Sequence, residues 1–260
     1  MANILVTGGT GRLGRELLPR LVDAGHEVRA LVRRPDAVLP DGVEPVSGDL
    51  GTVSRGQPLA AAAFEGVEHV IHLASGSSGG DIEGVDIAGT RTLIDAVRVA
   101  GGAHLLYLSI VGVEKSAFPL YRAKVEIEAM LGASGLPWTS LRTTQFHELI
   151  WDVFDQPPPS PFLALGMRYQ PLACAEVADS VVDLLTKPPA NGVIEMGGPE
   201  ALEASELASI FAEVMRRPEP ALRRAPSADT DLDALLAPDH REGRQTWRAF
   251  LEAKRDRRAV

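Results

Sequence analysis

A single cysteine, Cys174, rules out an internal disulfide and any multi-cysteine metal site, and its thiol is expected to be buried as a small apolar group. No apolar run approaches the roughly 18 residues that a bilayer-spanning segment needs. No basic tract offsets the net charge of -9 and the pI near 5.2. An acidic surface repels nucleic acid and anionic membrane alike, so neither is an expected partner. No internal repeat, paired-histidine zinc motif or nucleophile elbow is present, and no metal is expected. The first apolar run begins at residue 3. No signal peptide is expected ahead of it, and the cytoplasm is the expected compartment.

What the sequence does contain is concentrated at its start. Ile4 to Val6 is a short aliphatic run of the buried parallel-strand type, and Leu13, Leu17, Leu18, Leu21 and Val22 recur with helical spacing up to Gly25. Between them lies Gly8-Gly9-Thr10-Gly11-Arg12-Leu13-Gly14, a Gly-x-x-Gly-x-x-Gly loop. Glycines let the backbone turn sharply and approach a ligand without an intervening Cβ, and free N–H groups at a helix start favour a diphosphate. In this context the loop predicts a dinucleotide site.

Strand-like and helical runs then alternate, the pattern of βαβ units and of an α/β, doubly wound parallel sheet. Strands are expected at 28–32, 43–46, 67–73, 105–108 and 138–141, and helices at 59–64, 86–100 and 121–131. Beyond them come a proline run from Pro157 to Pro161, a strand at Gln170-Pro171-Leu172, and helices at 176–185 and 204–215. Residues 218–238 show no periodicity and are expected to form a lid or partner-facing segment. A last helix at 246–251 carries Trp247, Phe250 and Leu251, followed by a solvated basic end. With 45% hydrophobic residues the 260-residue chain has enough apolar content for one core. It is expected to be a single Rossmann domain, with 1–142 the cofactor-binding core and 143–260 mostly substrate pocket and lid.

The end of the second strand bears on the choice of dinucleotide. A carboxylate there would accept hydrogen bonds from the adenosine ribose of NAD, whereas a 2′-phosphate calls for cations. The sequence reads Val32-Arg33-Arg34-Pro35, and Arg12 in the glycine loop can approach the same region. Guanidinium forks match phosphate oxygens in geometry and charge, so NADP(H) is expected in preference to NAD(H). The alternative is a solvated basic turn, with Asp36 close by.

These motifs resemble the atypical short-chain dehydrogenase/reductase superfamily, and within it the NmrA-like NAD(P)-binding group. The resemblance rests on the glycine loop, Leu31-Val32-Arg33-Arg34-Pro35, Gly48-Asp49-Leu50, His72-Leu73-Ala74-Ser75 and Leu108-Ser109-Ile110-Val111-Gly112-Val113. It continues through Tyr121-Arg122-Ala123-Lys124, Leu141-Arg142-Thr143-Thr144-Gln145-Phe146-His147 and Gly197-Gly198-Pro199-Glu200. It implies that Gly8, Thr10, Gly11, Arg12, Leu13 and Gly14 cradle the pyrophosphate. It further implies that Arg33 and Arg34 face the adenosine ribose or its phosphate, that Asp49 and Leu50 hold the adenine edge, and that Ala74 and Ser75 line the middle of the cofactor. Lys124 would hydrogen-bond the nicotinamide ribose, and Ser109 would help to hold the substrate oxygen.

The chain departs from its relatives at the catalytic pair. Active short-chain reductases place a Tyr four residues before the Lys, so that both share a helical face and the ammonium lowers the phenol pKa. Here that position is Leu120, which has no proton to give. Tyr121 lies three residues before Lys124, rotated by about 100 degrees from the usual position, and is either a replacement acid or a packing residue. One subgroup of relatives, resembling isoflavone and phenylcoumaran reductases, works with the lysine and without the paired tyrosine.

Thr144, Gln145, Phe146 and His147 follow the sixth strand, at the sheet edge where doubly wound folds bind substrate. His147 is either an acid or a structural group. Two functions remain in view. One is an NADP(H)-dependent oxidoreductase acting on a small quinone, enone or carbonyl. The other is a catalytically weak redox sensor or regulator with a protein partner.

Overall fold

The computed structural model describes residues 1–34, 36–52, 59–76, 80–155, 163–224 and 233–258. Pro35 and the proline run expected at 157–161 lie outside them, as does part of the 218–238 segment. Among the described residues no helix is long and apolar enough to cross a membrane. The chain forms two compact units. Unit one comprises 1–109, 116–142 and 178–194, and unit two comprises 110–115, 143–177 and 195–260, so the grouping is more interleaved than one cut at residue 142.

Unit one is organised by a seven-stranded parallel sheet. Its strands are β1 (Asn3–Thr7), β2 (Glu27–Val32), β3 (Val43–Ser47), β4 (His69–His72), β5 (His104–Ile110), β6 (Trp138–Thr143) and β9 (Gly192–Met196). They lie in the order β3-β2-β1-β4-β5-β6-β9. The order turns outward from β1 in both directions, leaving a switch point between β1 and β4, where ligands bind in such sheets. Register fixes the strand ends there: Thr7 pairs with Leu31 on one side and with His72 on the other.

The connecting helices follow the apolar spacing. Helix α1 (Arg12–Asp23) buries Leu13, Leu17, Leu18 and Leu21, and its Arg20 bonds Asp179 at 2.6 Å. Helix α2 (Gly89–Val99) buries Leu93, Ile94 and Val97, and α3 (Pro119–Ala133) buries Ile127 and Leu131, with both helices joining Leu5, Val70, Leu105 and Tyr107 in one core. Pro119 opens α3 where its absent N–H is no loss, two residues before the expected start. The chain enters α2 through a wider π-helical stretch, Ile82–Ala88, and so coils earlier than the expected residue 86. Strand β4 starts two residues later than expected, because Val67 N–H bonds Phe64 C=O in a turn. Strand β9 had no expectation; its apolar stretch is short and is closed by Gly197-Gly198.

Unit two is helical with short strand pairs. Helices α4 (His147–Asp155), α6 (Ala204–Met215) and α7 (Trp247–Arg258) belong to it. Trp247 is fully buried and its indole N–H donates to Leu207 C=O. Strands β7 (Ala164–Leu165) and β11 (Arg223–Arg224) pair, as do β8 (Arg168–Tyr169) and β10 (Leu202–Glu203). The strand expected at 170–172 is displaced to 168–169, and Leu172 keeps an isolated bridge to Phe146. Pro171 has no N–H for a ladder, which explains the break. Helix α5 (Cys174–Leu184) begins at the lone cysteine, which is buried. The described end of the expected lid is packed: Ala234, Leu235 and Ala237 are buried, and Ala237 N–H donates to Gln170 Oε1. The basic end belongs to α7, where Lys254 lies over the rings of Phe250 and Trp151.

Candidate functional site

The glycine loop joins β1 to α1 at the switch point. Gly8 takes a left-handed backbone (φ 74°), and a Cβ there would lie 2.6 Å from the Ala74 nitrogen on the neighbouring loop. A Cβ on Gly14 would collide with the backbone of Gly9. Both positions therefore require glycine. Gly11 is the N-cap of α1, with no side-chain cap, and the first turn carries no acid. The helix start therefore carries N–H donors and a positive dipole end with no side-chain cap on it. Thr10, Gly11 and Arg12 are exposed beside it, and Leu13 is buried beneath.

A buried hydrogen-bonded chain fixes the strand ends under this loop. Thr7 Oγ1 accepts from Ala74 N–H at 3.3 Å and contacts His72 Nδ1 at 2.6 Å, while His72 Nε2 contacts Thr90 Oγ1 of α2 at 2.8 Å. Burial, with Lys124 nearby, pushes the imidazole down to about 3. His72 is thus a neutral linker between β1, β4 and α2 rather than an acid or base.

At the far end of the loop lies a cavity of about 600 Å³ lined by Arg33, Ser47, Gly48, Asp49, Thr52 and Leu59, among others. Arg33 and Arg34 are exposed and make no ion pair among the described residues. Asp49 Oδ1 accepts from Gly51 N–H at 2.9 Å, which shapes the turn after β3, and Leu50 is buried. The glycine cradle, uncapped helix start and cavity fit a nicotinamide dinucleotide.

A third cluster surrounds Lys124 on α3. Its ammonium is 6% exposed and donates to Tyr107 Oη and to Leu108 C=O, each at 3.0 Å. Burial lowers its pKa to about 8, against the raising influence of Asp86 and Glu128. Tyr107, on β5, has its pKa pushed well up by burial and by those two carboxylates. Burial pushes the Glu128 pKa up as well, but hydrogen bonds from Arg142, Ser109 and Ser140 outweigh it and hold the carboxyl below its usual range. Arg142 grips both its oxygens, at 3.0 and 2.7 Å. Ser109 is 1% exposed, with its hydroxyl turned to this carboxylate. Tyr121 is 8% exposed, with its ring 6.3 Å from that of Phe118.

Of the residues expected to contact substrate, three are buried and hydrogen-bonded inside unit two, with His147 Nδ1 alone lacking a partner among their side-chain polar atoms. Thr144 Oγ1 accepts from Gly198 N–H, and Gln145 donates to Leu235 C=O while accepting from Gln170 N–H. His147 is fully buried, bonded through Nε2 to Gln245 C=O and stacked on Trp247 and Phe250, with its pKa lowered to about 4 by burial. An imidazole so enclosed is a structural group, which corrects the acid alternative. Phe146 alone among the four is partly exposed.

Tyr107, Asp86 and His72 had no expected role. Tyr107 stands two residues before Ser109, hence on the same face of β5. Asp86 is an isolated acid in the apolar run Gly84-Val85-Asp86-Ile87-Ala88.

Fold and cradle together define a Rossmann-type dinucleotide-binding protein. Residues 8–188 match the family model described as NAD(P)H-binding, and the chain belongs to that NAD(P)H-binding family. It is similar, at 34% identity, to (4-alkanoyl-5-oxo-2,5-dihydrofuran-3-yl)methyl phosphate reductase of Streptomyces griseus subsp. griseus, over 83% of this chain and 74% of the relative. It is also similar, at 33% identity, to photosystem II assembly factor Ycf39 of Cyanophora paradoxa, over 56% of this chain. That match spans 46%, under half, of the assembly factor. Among solved structures, MoeE5 in complex with UDP-glucuronic acid and NAD superposes with a TM-score of 0.77, covering 99% of this chain and 100% of that one at 20% identity. That likeness establishes the fold.

Proposed function

We propose that the protein is an NADP(H)-dependent oxidoreductase of the NmrA-like type, acting in the cytoplasm on a small organic substrate such as a quinone, an enone or a carbonyl compound. The observation that carries this reading is the buried Lys124, held by two hydrogen bonds in the same unit as an uncapped glycine cradle. A regulator needs only the cradle; an oriented, low-pKa lysine supports chemistry as well. The name of the Streptomyces relative denotes a reductase, which agrees.

In this reading Gly8, Thr10, Gly11, Arg12, Leu13 and Gly14 hold the pyrophosphate, Arg33 and Arg34 the 2′-phosphate, and Asp49 and Leu50 the adenine edge. Ala74 and Ser75 line the middle, and Lys124 holds the nicotinamide ribose. The bound nicotinamide supplies or accepts the hydride. Lys124 keeps the ring in place, while Ser109 and Tyr121 attend the substrate oxygen. With Leu120 in the usual tyrosine position, proton supply falls to Tyr121, to Lys124 or to water. Substrates that need hydride more than a strong acid are therefore favoured, and activated double bonds head that class.

The second reading is a redox sensor that binds the cofactor and a protein partner without turnover. Leu120 favours it, and so does the resemblance to an assembly factor. NADPH consumption with a panel of quinones, enones and aldehydes separates the two. Turnover is expected and should fall at least about a hundredfold in Lys124→Ala, the scale of loss when a reacting group is misplaced. Binding of both redox forms without consumption would favour the sensor.

A further inference from the structure

We propose that Asp86 and Tyr107 are positioning residues for Lys124, holding its ammonium charged and aimed so that its third N–H is left for a ribose hydroxyl of the cofactor. This rests on the reading of Lys124 as a cofactor ligand.

The arrangement follows from counting donors. An ammonium has three N–H groups. Two are spent on Tyr107 Oη and Leu108 C=O, both on β5, which fixes the direction of the third. The nitrogen also lies 4.7 Å from the centre of the Tyr107 ring, so one side chain supplies both an acceptor and a π face.

A buried ammonium also needs a counter-charge. The groups facing Lys124 are Tyr107 of β5, neutral His72 of β4, Glu128 one turn along α3, and Asp86 of the π-helical stretch. Glu128 is already neutralised by Arg142 of β6. Asp86 lies on the π-helical stretch that packs against α3 and has no cation within salt-bridge distance among the described residues, so its charge near Lys124 is not already paired.

Asp86 also reaches the cofactor-lining loop. Its Oδ2 accepts from Gly76 N–H at 2.7 Å, and the Ser75 hydroxyl bonds the same carboxylate. Its Oδ1 is buried without a partner, although the residue is 1% exposed. Buried acceptors are rarely left unmatched, and this unmatched oxygen fits a donor supplied by a ligand, as a ribose hydroxyl can be.

The chain has four lysines, Lys115, Lys124, Lys187 and Lys254, so a titration followed by ¹³Cε-lysine NMR reads Lys124 directly, with Lys124→Ala assigning its signal. In the unliganded wild type Lys124 should titrate near 8. Asp86→Asn should lower that midpoint by about one unit or more, as loss of a nearby opposite charge does, and leave the others unmoved. Tyr107→Phe keeps the ring and removes the acceptor. It should lower the midpoint too, and both variants should weaken NADPH binding about tenfold, the loss of one charge-assisted hydrogen bond. If either variant fails to fold, the other carries the test. An unmoved Lys124 midpoint in a folded variant would overturn the assignment. If Lys124→Ala binds NADPH like the wild type, the cofactor-ligand reading fails instead, while the midpoints still decide whether Asp86 and Tyr107 set the state of the lysine.

Discussion

Arg33 and Lys124 divide the proposed chemistry between the two ends of one cofactor, and each makes a separate prediction. Arg33 is exposed on the cavity proposed for the adenosine end, where a guanidinium would gain most by pairing with a 2′-phosphate. NADPH should bind about tenfold more tightly than NADH, or ~1.4 kcal/mol, and Arg33→Asp should bring the two towards parity. Equal affinities for the wild type in a fluorescence titration would remove the arginine argument. Lys124 was legible from the motif around it, but its surroundings were not. Tyr107 and Asp86 reach it from β5 and from the π-helical stretch, and spacing within one element carries no trace of a contact made between elements. His147 shows the converse. Its place after β6 suggested a site, whereas stacking on Trp247 and Phe250 makes it part of a core that no local pattern announces.

The β1–loop–α1 element was the most legible part of the chain. Its strand, glycines and leucine spacing are contiguous, so local sequence determines local shape. Gly14→Ala places a Cβ against the Gly9 backbone, which cannot yield as a flexible side chain can. The expected result is a loss of about 2 kcal/mol in urea unfolding, the scale of core overpacking, together with loss of NADPH binding. A variant as stable as the wild type that binds NADPH normally would show that the loop has slack that the geometry denies. The elements that escaped the sequence reading are short or interrupted. Strands β7, β8, β10 and β11 have two residues each, below any periodicity, and Pro171 moved the expected strand towards the N terminus. The π-helical start before α2 could not be foreseen from apolar spacing, because the wider turn breaks the 3.6-residue repeat.

Across the whole molecule, buried histidines make stability depend on pH. His72 is held down to about 3, and His104 and His147 to about 4, in each case chiefly by burial. Between about pH 6.5 and 4 the unfolded chain takes up protons that the folded chain refuses, so stability is full above 6.5 and falls as pH drops. Urea unfolding at pH 5 should show at least about 2 kcal/mol less stability than at pH 7, roughly what one such histidine contributes. A flat profile would mean that these imidazoles are hydrated. The doubly wound sheet was legible from the alternation of strands and helices, while the interleaving of the two units was not, since chain order says little about which segments share a core. For function, the decisive measurement is transfer of deuterium from NADPH labelled at the nicotinamide C4 to an enone or quinone, followed by mass spectrometry of the product. An oxidoreductase that uses Lys124 predicts labelled product with the wild type and almost none with Lys124→Ala. Tight binding of NADPH and NADP⁺ with no label transferred to any acceptor would contradict it.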